Sequence, residues 1–179
     1  AVQQVGNLSF EICVEHLDAC ITVDEGRICQ EILDLYNKEG IVAEPAGALA
    51  IAAMDQYASE IKGKQVAAIL CGGNNDITRT PEIEERALLY ARLKHYFIVR
   101  FPQRPGALKD FVTHVLGPDD DITHFEFSKK TNQHFAPAVV GVVLKKETDF
   151  VPLVERMKTQ GFFGEYLNDK PNLFDFLKN

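Results

Sequence analysis

Gln65-Val66-Ala67-Ala68-Ile69-Leu70-Cys71-Gly72-Gly73-Asn74 joins an uninterrupted apolar run to a thiol and two glycines. The run has the length and composition of a short buried strand, and the glycines let the backbone turn sharply after it. In open α/β sheets, ligands bind outside the carboxyl ends of the strands, so Cys71 stands where the edge of a ligand can rest. A second marked stretch, Ala43-Glu44-Pro45-Ala46-Gly47-Ala48, lies upstream. Glu44-Pro45 opens a helix with Pro in the first turn, where its missing N–H costs nothing.

Around these two stretches the first half alternates helices and short strands. Ser9 can cap a helix through Phe10, Ile12, Cys13 and His16. Residues 19–23 read as an apolar strand. Asp24 then caps a helix carrying Ile28, Ile32, Leu33 and Tyr36, with Gly40 as its stop. The helix after Pro45 is apolar nearly all round and is expected to be deeply buried. Two short strands cannot make a doubly wound sheet by themselves, because parallel strands need neighbours and both faces covered. Residues 1–92 therefore read as the final portion of a larger α/β domain, ending in an amphipathic connecting helix over residues 81–94.

The second half has another rhythm. Residues 95–101 form a strand, and Gln103-Arg104-Pro105-Gly106-Ala107-Leu108 turns into a helix through Phe111, Val112 and Val115. Residues 122–127 alternate, placing Phe125 and Phe127 on one face and His124 and Glu126 on the other. Residues 136–144 are a β-branched strand, Thr148 opens a helix, Gly161 ends it, and residues 162–167 are the last strand. The order βαββαβ is the ferredoxin-like arrangement, and residues 93–179 suit one such domain.

Composition narrows the function classes. The net charge of −7 offers no basic face for nucleic acid. No apolar stretch is long enough to span a bilayer, and no secretory signal opens the chain. The four cysteines, Cys13, Cys20, Cys29 and Cys71, have irregular gaps and no CxxC pair, which argues against a metal site. Buried reduced thiols in a cytoplasmic protein are the expectation. The chain begins with Ala1 and not Met, as a processed end or a fragment would.

Each motif has two readings. Cys71 with its glycines suits hydrogen bonding to a pyridine-type ring nitrogen, or is a strand-to-loop turn with a buried thiol. Glu44 puts a carboxylate at a helix start, next to small residues that allow close approach of a ligand, or simply caps a core helix. Arg104 to Leu108 opens a helix whose N–H groups can hold an amino-acid carboxylate, or is a βα turn fixed by Gly106.

Taken together, the stretches Ala1-Val2-Gln3-Gln4-Val5-Gly6, Ile21-Thr22-Val23-Asp24, Val42 through Ala50, Ile69 through Asn74, and Phe101 through Leu108 resemble the carboxyl-terminal part of biosynthetic threonine deaminase (threonine ammonia-lyase). The resemblance is to its short form, with one ACT-like regulatory domain. It implies an α/β chain holding the C-terminal portion of a fold-type II, tryptophan synthase β-like, pyridoxal phosphate (PLP) domain, followed by the βαββαβ ACT-like domain. It implies Cys71 at the pyridine nitrogen, Glu44 near the ring and Gly72 beside them. It implies isoleucine and valine as effectors near Arg104, Gly106, Ala107 and Phe127, threonine as substrate, and a homo-oligomer, a tetramer in that family.

The family's Schiff-base lysine and Gly-rich phosphate loop belong to a segment with no counterpart here, and Lys38, Lys62 and Lys64 do not sit in a matching context. The chain alone is therefore expected to be inactive. Two other readings stand beside this one: a stand-alone amino-acid-binding module, and a relative of the serine dehydratase and racemase type.

Overall fold

The computed structural model describes residues 4–127 and 134–170. The Ala1-Val2-Gln3 part of the resemblance lies outside them. The chain divides between Asn75 and Asp76 into two compact units.

The first unit is helical. Helix α1 (Asn7–His16) starts after Gly6 without a side-chain cap, so Ser9 lies inside the first turn and does not cap it. None of its residues is buried, and Leu8, Phe10, Ile12 and Val14 are exposed. Helix α2 (Glu25–Asp34) is capped as its sequence suggests, with the Asp24 carboxylate accepting from Gly26 N at 2.8 Å. It buries Cys29 and Ile32 and runs into a π-type turn, Leu35–Glu39, that Gly40 closes. Helix α3 (Pro45–Ala52) begins at the proline, packs against α2, and continues through a 3₁₀ turn, Ala53–Tyr57, into the short α4 (Ala58–Ile61).

Three expectations are corrected here. Residues 19–23 and 65–71 form no strand ladder. A strand is defined by hydrogen bonds to a neighbour, and among the described residues neither stretch has one alongside. Ile69, read as buried, is 77% exposed. Helix α3 buries Gly47, Ala48 and Ala52, but Leu49 on its outer side is exposed. Of the cysteines only Cys29 is buried; Cys13, Cys20 and Cys71 are exposed, and no disulfide joins any of the four.

The second unit opens with α5 (Thr80–Tyr90), shorter than expected because the chain turns at Arg92 with φ 54°. Then follow β1 (Lys94–Pro102), α6 (Ala107–His114), β2 (Asp121–Phe127), β3 (Phe135–Val143), α7 (Phe150–Thr159) and β4 (Phe163–Tyr166). Thr148 does not cap α7, since it lies within a 3₁₀ turn, Glu147–Asp149, that leads into the helix. The strands form an antiparallel sheet in the order β2-β3-β1-β4, which is the βαββαβ ferredoxin-like topology read from the sequence.

Alternation along β1 aims Phe97, Val99 and Phe101 at one face, where Val140 and Val142 of β3 join them. Helices α6 and α7 cover that face with Phe111, Val115, Leu153 and Met157. Arg156 of α7 reaches the Asp120 carboxylate just ahead of β2, at 3.3 Å. On the opposite face, Glu85 of α5 accepts from the Tyr96 hydroxyl at 2.7 Å and pairs with Lys94. Burial and the Glu85 carboxylate push the Tyr96 phenol well above its usual range. His95 is buried, with Nε2 2.9 Å from the Arg92 carbonyl and Nδ1 3.0 Å from the Tyr166 hydroxyl. Among the described residues no helix is long and apolar enough to cross a membrane.

Candidate functional site

In the first unit, Glu44, Cys71 and Gly72 meet at one junction. Glu44 is the residue before α3, and its backbone N donates to the Gly72 carbonyl at 3.0 Å. Gly72 takes φ +69°, a left-handed conformation that suits glycine. A Cβ there would also lie 2.3 Å from Glu44 Oε1, so the missing side chain is what lets the Glu44 carboxylate lie along the turn. A member the sequence reading did not name is Gly47, whose Cα side is pressed against the Cys71 and Gly72 carbonyls. The sequence signal for it was the small-residue run Ala46-Gly47-Ala48, which says that something approaches closely without saying what.

The Cys71 thiol is exposed at this junction and free. An accessible thiol and a carboxylate on one turn are a donor and an acceptor that suit the edge of a heteroaromatic ring. The lysines of this unit stand elsewhere: Lys38 pairs with Asp34 at 3.0 Å on the π-type turn, and Lys62 and Lys64 are exposed beyond α4. Among the described residues no group of three or more His, Cys, Asp or Glu side chains is arranged for a metal ion.

In the second unit, a cleft of about 410 Å³ lies between the turn after β1 and the end of β2. That volume is within the roughly 300–1,000 Å³ of small-molecule pockets. It is lined by the whole turn from Pro102 to Leu108, so Arg104, Gly106 and Ala107 are brought together with Phe127. Gly106 takes φ +85° and ends the turn, placing Ala107 at the first position of α6. The opening turn of that helix carries N–H donors with no acceptor inside the helix, and the positive end of its dipole faces the same way.

Phe101 and Phe125 also line the cleft, and the sequence reading did not assign them to it. Phe101 is the buried floor, and Phe125 and Phe127 stand edge-on to it with ring centroids 5.8 and 5.9 Å away. Both rings remain about 40% exposed, because β2 is an edge strand that α6 and α7 do not cover. The signal for Phe125 was the His124-Phe125-Glu126-Phe127 alternation, which set it on the face of Phe127. The Arg104 guanidinium is not open to a ligand in full: Nη2 donates to Asp110 Oδ2 at 2.6 Å.

Residues 85–177 match the family model of the C-terminal regulatory domain of threonine dehydratase. The chain belongs to that family. Residues 1–72 match the model of pyridoxal-phosphate dependent enzymes. The whole chain is therefore the end of a PLP-type α/β domain joined to a threonine dehydratase regulatory domain. The biosynthetic L-threonine dehydratase IlvA of Halalkalibacterium halodurans is 51% identical over 99% of this chain and 43% of its own length. The corresponding protein of Staphylococcus aureus strain NCTC 8325 is 49% identical over 99% of this chain and 42% of its own length. The chain thus spans less than half the length of these relatives. Glu44, Cys71 and Gly72 fall within the PLP-type match, and the aromatic cleft falls within the threonine dehydratase regulatory domain.

Proposed function

We propose that this chain supplies the ring-edge part of a PLP site and the effector domain of a biosynthetic threonine dehydratase. The complete protein would convert threonine to 2-oxobutanoate and ammonia for isoleucine synthesis in the cytoplasm. The observation that carries this reading is the convergence of the exposed Cys71 thiol and the Glu44 carboxylate on one junction, held by the Glu44 N to Gly72 O hydrogen bond.

Bound there, PLP would supply an electron sink for bond breaking at the substrate α-carbon. The Cys71 thiol would donate a hydrogen bond to the ring nitrogen, which a thiol can do without fixing a full positive charge on it. Glu44 keeps a carboxylate beside the same turn, and Gly72 holds that carboxylate in place by having no side chain. The lysine and phosphate loop needed to anchor the cofactor are not supplied by Lys38, Lys62 or Lys64, so the chain by itself is proposed to be inactive.

The regulatory domain is proposed to bind isoleucine, with valine as the second effector. The aliphatic side chain would lie on Phe101, Phe125 and Phe127, and the carboxylate at the opening turn of α6 beside Arg104, Gly106 and Ala107. The exposed apolar faces of the first unit fit a homo-oligomer, a tetramer by resemblance. Titration calorimetry of this chain with isoleucine, valine and serine tests the effector assignment. Binding of isoleucine supports it, and heats no larger than those of serine would remove it. One observation favours the reading as a stand-alone amino-acid-binding module: the second unit has its own closed core. Reaction of the complete protein with threonine, giving 2-oxobutanoate that isoleucine suppresses, would exclude that module.

A further inference from the structure

The Cys71–Gly72 peptide lies directly on the first turn of α3. A Cβ added to Gly47 would fall 1.6 Å from the Cys71 carbonyl oxygen, 2.5 Å from the Gly72 carbonyl oxygen and 2.8 Å from the Cys71 carbonyl carbon. All three obstructing atoms are backbone, so no side-chain rotation clears them. Gly72 differs in this respect, because its obstruction is the end of the flexible Glu44 side chain. Nor can α3 yield easily: Ala48 and Ala52 are buried, and the helix packs on α2. The Glu44 N to Gly72 O hydrogen bond ties the two segments from the other side.

We propose that Gly47 is a positioning residue for Cys71: by presenting bare backbone, it sets how deeply the 71–72 turn seats on α3 and hence where the thiol stands beside the cofactor ring. The inference rests on the reading of Cys71 as a ring contact. Any side chain at Gly47 would have to lengthen the 1.6 Å separation to at least 3.0 Å. The exposed turn that carries Cys71 is packed less tightly than α3 and would give way first. Gly47 acts through backbone contact and touches no reacting atom.

The test uses the complete dehydratase with PLP bound, and reads the cofactor rather than turnover. Cys71→Ala should shift the pH dependence of the cofactor's absorption band and weaken PLP binding by about tenfold or more, as loss of a supporting contact does at other bound groups. Gly47→Ala should produce a shift of the same kind, and Cys71→Ala should add nothing further in that background. Ser59→Ala, an exposed change on α4, should leave the band unmoved. If Cys71→Ala alone leaves the cofactor unaffected, the ring-contact reading falls. If Cys71→Ala acts but Gly47→Ala lowers only the melting temperature, or the two effects add in full, the positioning role is overturned. Should Gly47→Ala fail to fold, a crystal structure of the wild-type holoenzyme decides. A Cys71 carbonyl within ~4 Å of the Gly47 Cα supports the role, and a wider gap overturns it.

Discussion

The Tyr96 hydroxyl donates a 2.7 Å hydrogen bond to Glu85 Oε1, and this contact fastens α5 to the back of the sheet. Lys94 pairs with the same carboxylate, and both charged side chains are nearly buried, at 11% exposure each. Removing one partner of a buried pair leaves the other charged and dry. Glu85→Ala should therefore destabilise the second unit by about 3 kcal/mol, whereas Tyr96→Phe, which removes one bond to the charged carboxylate, should cost about 2 kcal/mol. Urea denaturation of the chain measures both. Equal, small losses would mean that the pair contributes no more than a surface contact.

His95 gives the second unit a pH dependence. Burial, the largest influence, holds its folded pKa below the usual 6.5, and both ring nitrogens are satisfied in the neutral form. Nε2–H donates to the Arg92 carbonyl while Nδ1 accepts from the Tyr166 hydroxyl. As pH falls through 6.5 the unfolded chain takes up a proton that the folded chain refuses. Stability is thus complete above 6.5 and declines below it, down to the depressed folded pKa. Denaturation midpoints between pH 7 and pH 5 should show this slope, and His95→Gln should flatten it. An unchanged slope in the variant would assign it to the carboxylates.

The aromatic cleft makes its own prediction. Phe127→Ala removes one of the two rings that stand over Phe101 without opening the core, since Phe127 is already partly exposed. Isoleucine binding to the chain should weaken by about tenfold, the loss of one good apolar wall, while the melting temperature changes little. Calorimetry that finds the wild-type affinity in Phe127→Ala would place the effector elsewhere.

Activity of the isolated chain is a fourth matter. Incubated with PLP and threonine, it should yield no 2-oxobutanoate above a protein-free control. A measurable rate would show that a lysine of this chain can act as the cofactor's lysine.

What the sequence revealed and what it hid follow from where the contacts lie. The βαββαβ order was legible because the second unit closes its own core, so every strand and helix must carry a matching periodicity. The apolar set Tyr96, Ile98 and Val99 announces β1, although the side chains that enter the core under the helices are Phe97, Val99 and Phe101. Residues 19–23 and 65–71 gave the same apolar signal, yet form no ladder, since a strand also needs a neighbour that local composition cannot supply. Glu85 read as a polar position on an amphipathic helix, and nothing near it in sequence points to Tyr96. Gly47 was visible as a small residue, but its partner lies in the distant 71–72 turn. Phe101 is separated from Phe125 and Phe127 by a helix, so only the fold joins the three rings into one cleft.

The Arg104–Asp110 contact bears on how the cleft discriminates. Its guanidinium already has an anion within its own domain. Asp110 stays in place, so an arriving carboxylate would share the guanidinium with an anion already there. Binding then gains little from ionic attraction and should respond weakly to added sodium chloride. In the proposed effector site, selection among amino acids would then fall to Phe101, Phe125 and Phe127, which would rank candidates by the shape and apolar area of their side chains. Every amino acid presents the same carboxylate, and a cleft tuned in this way ignores the part they share.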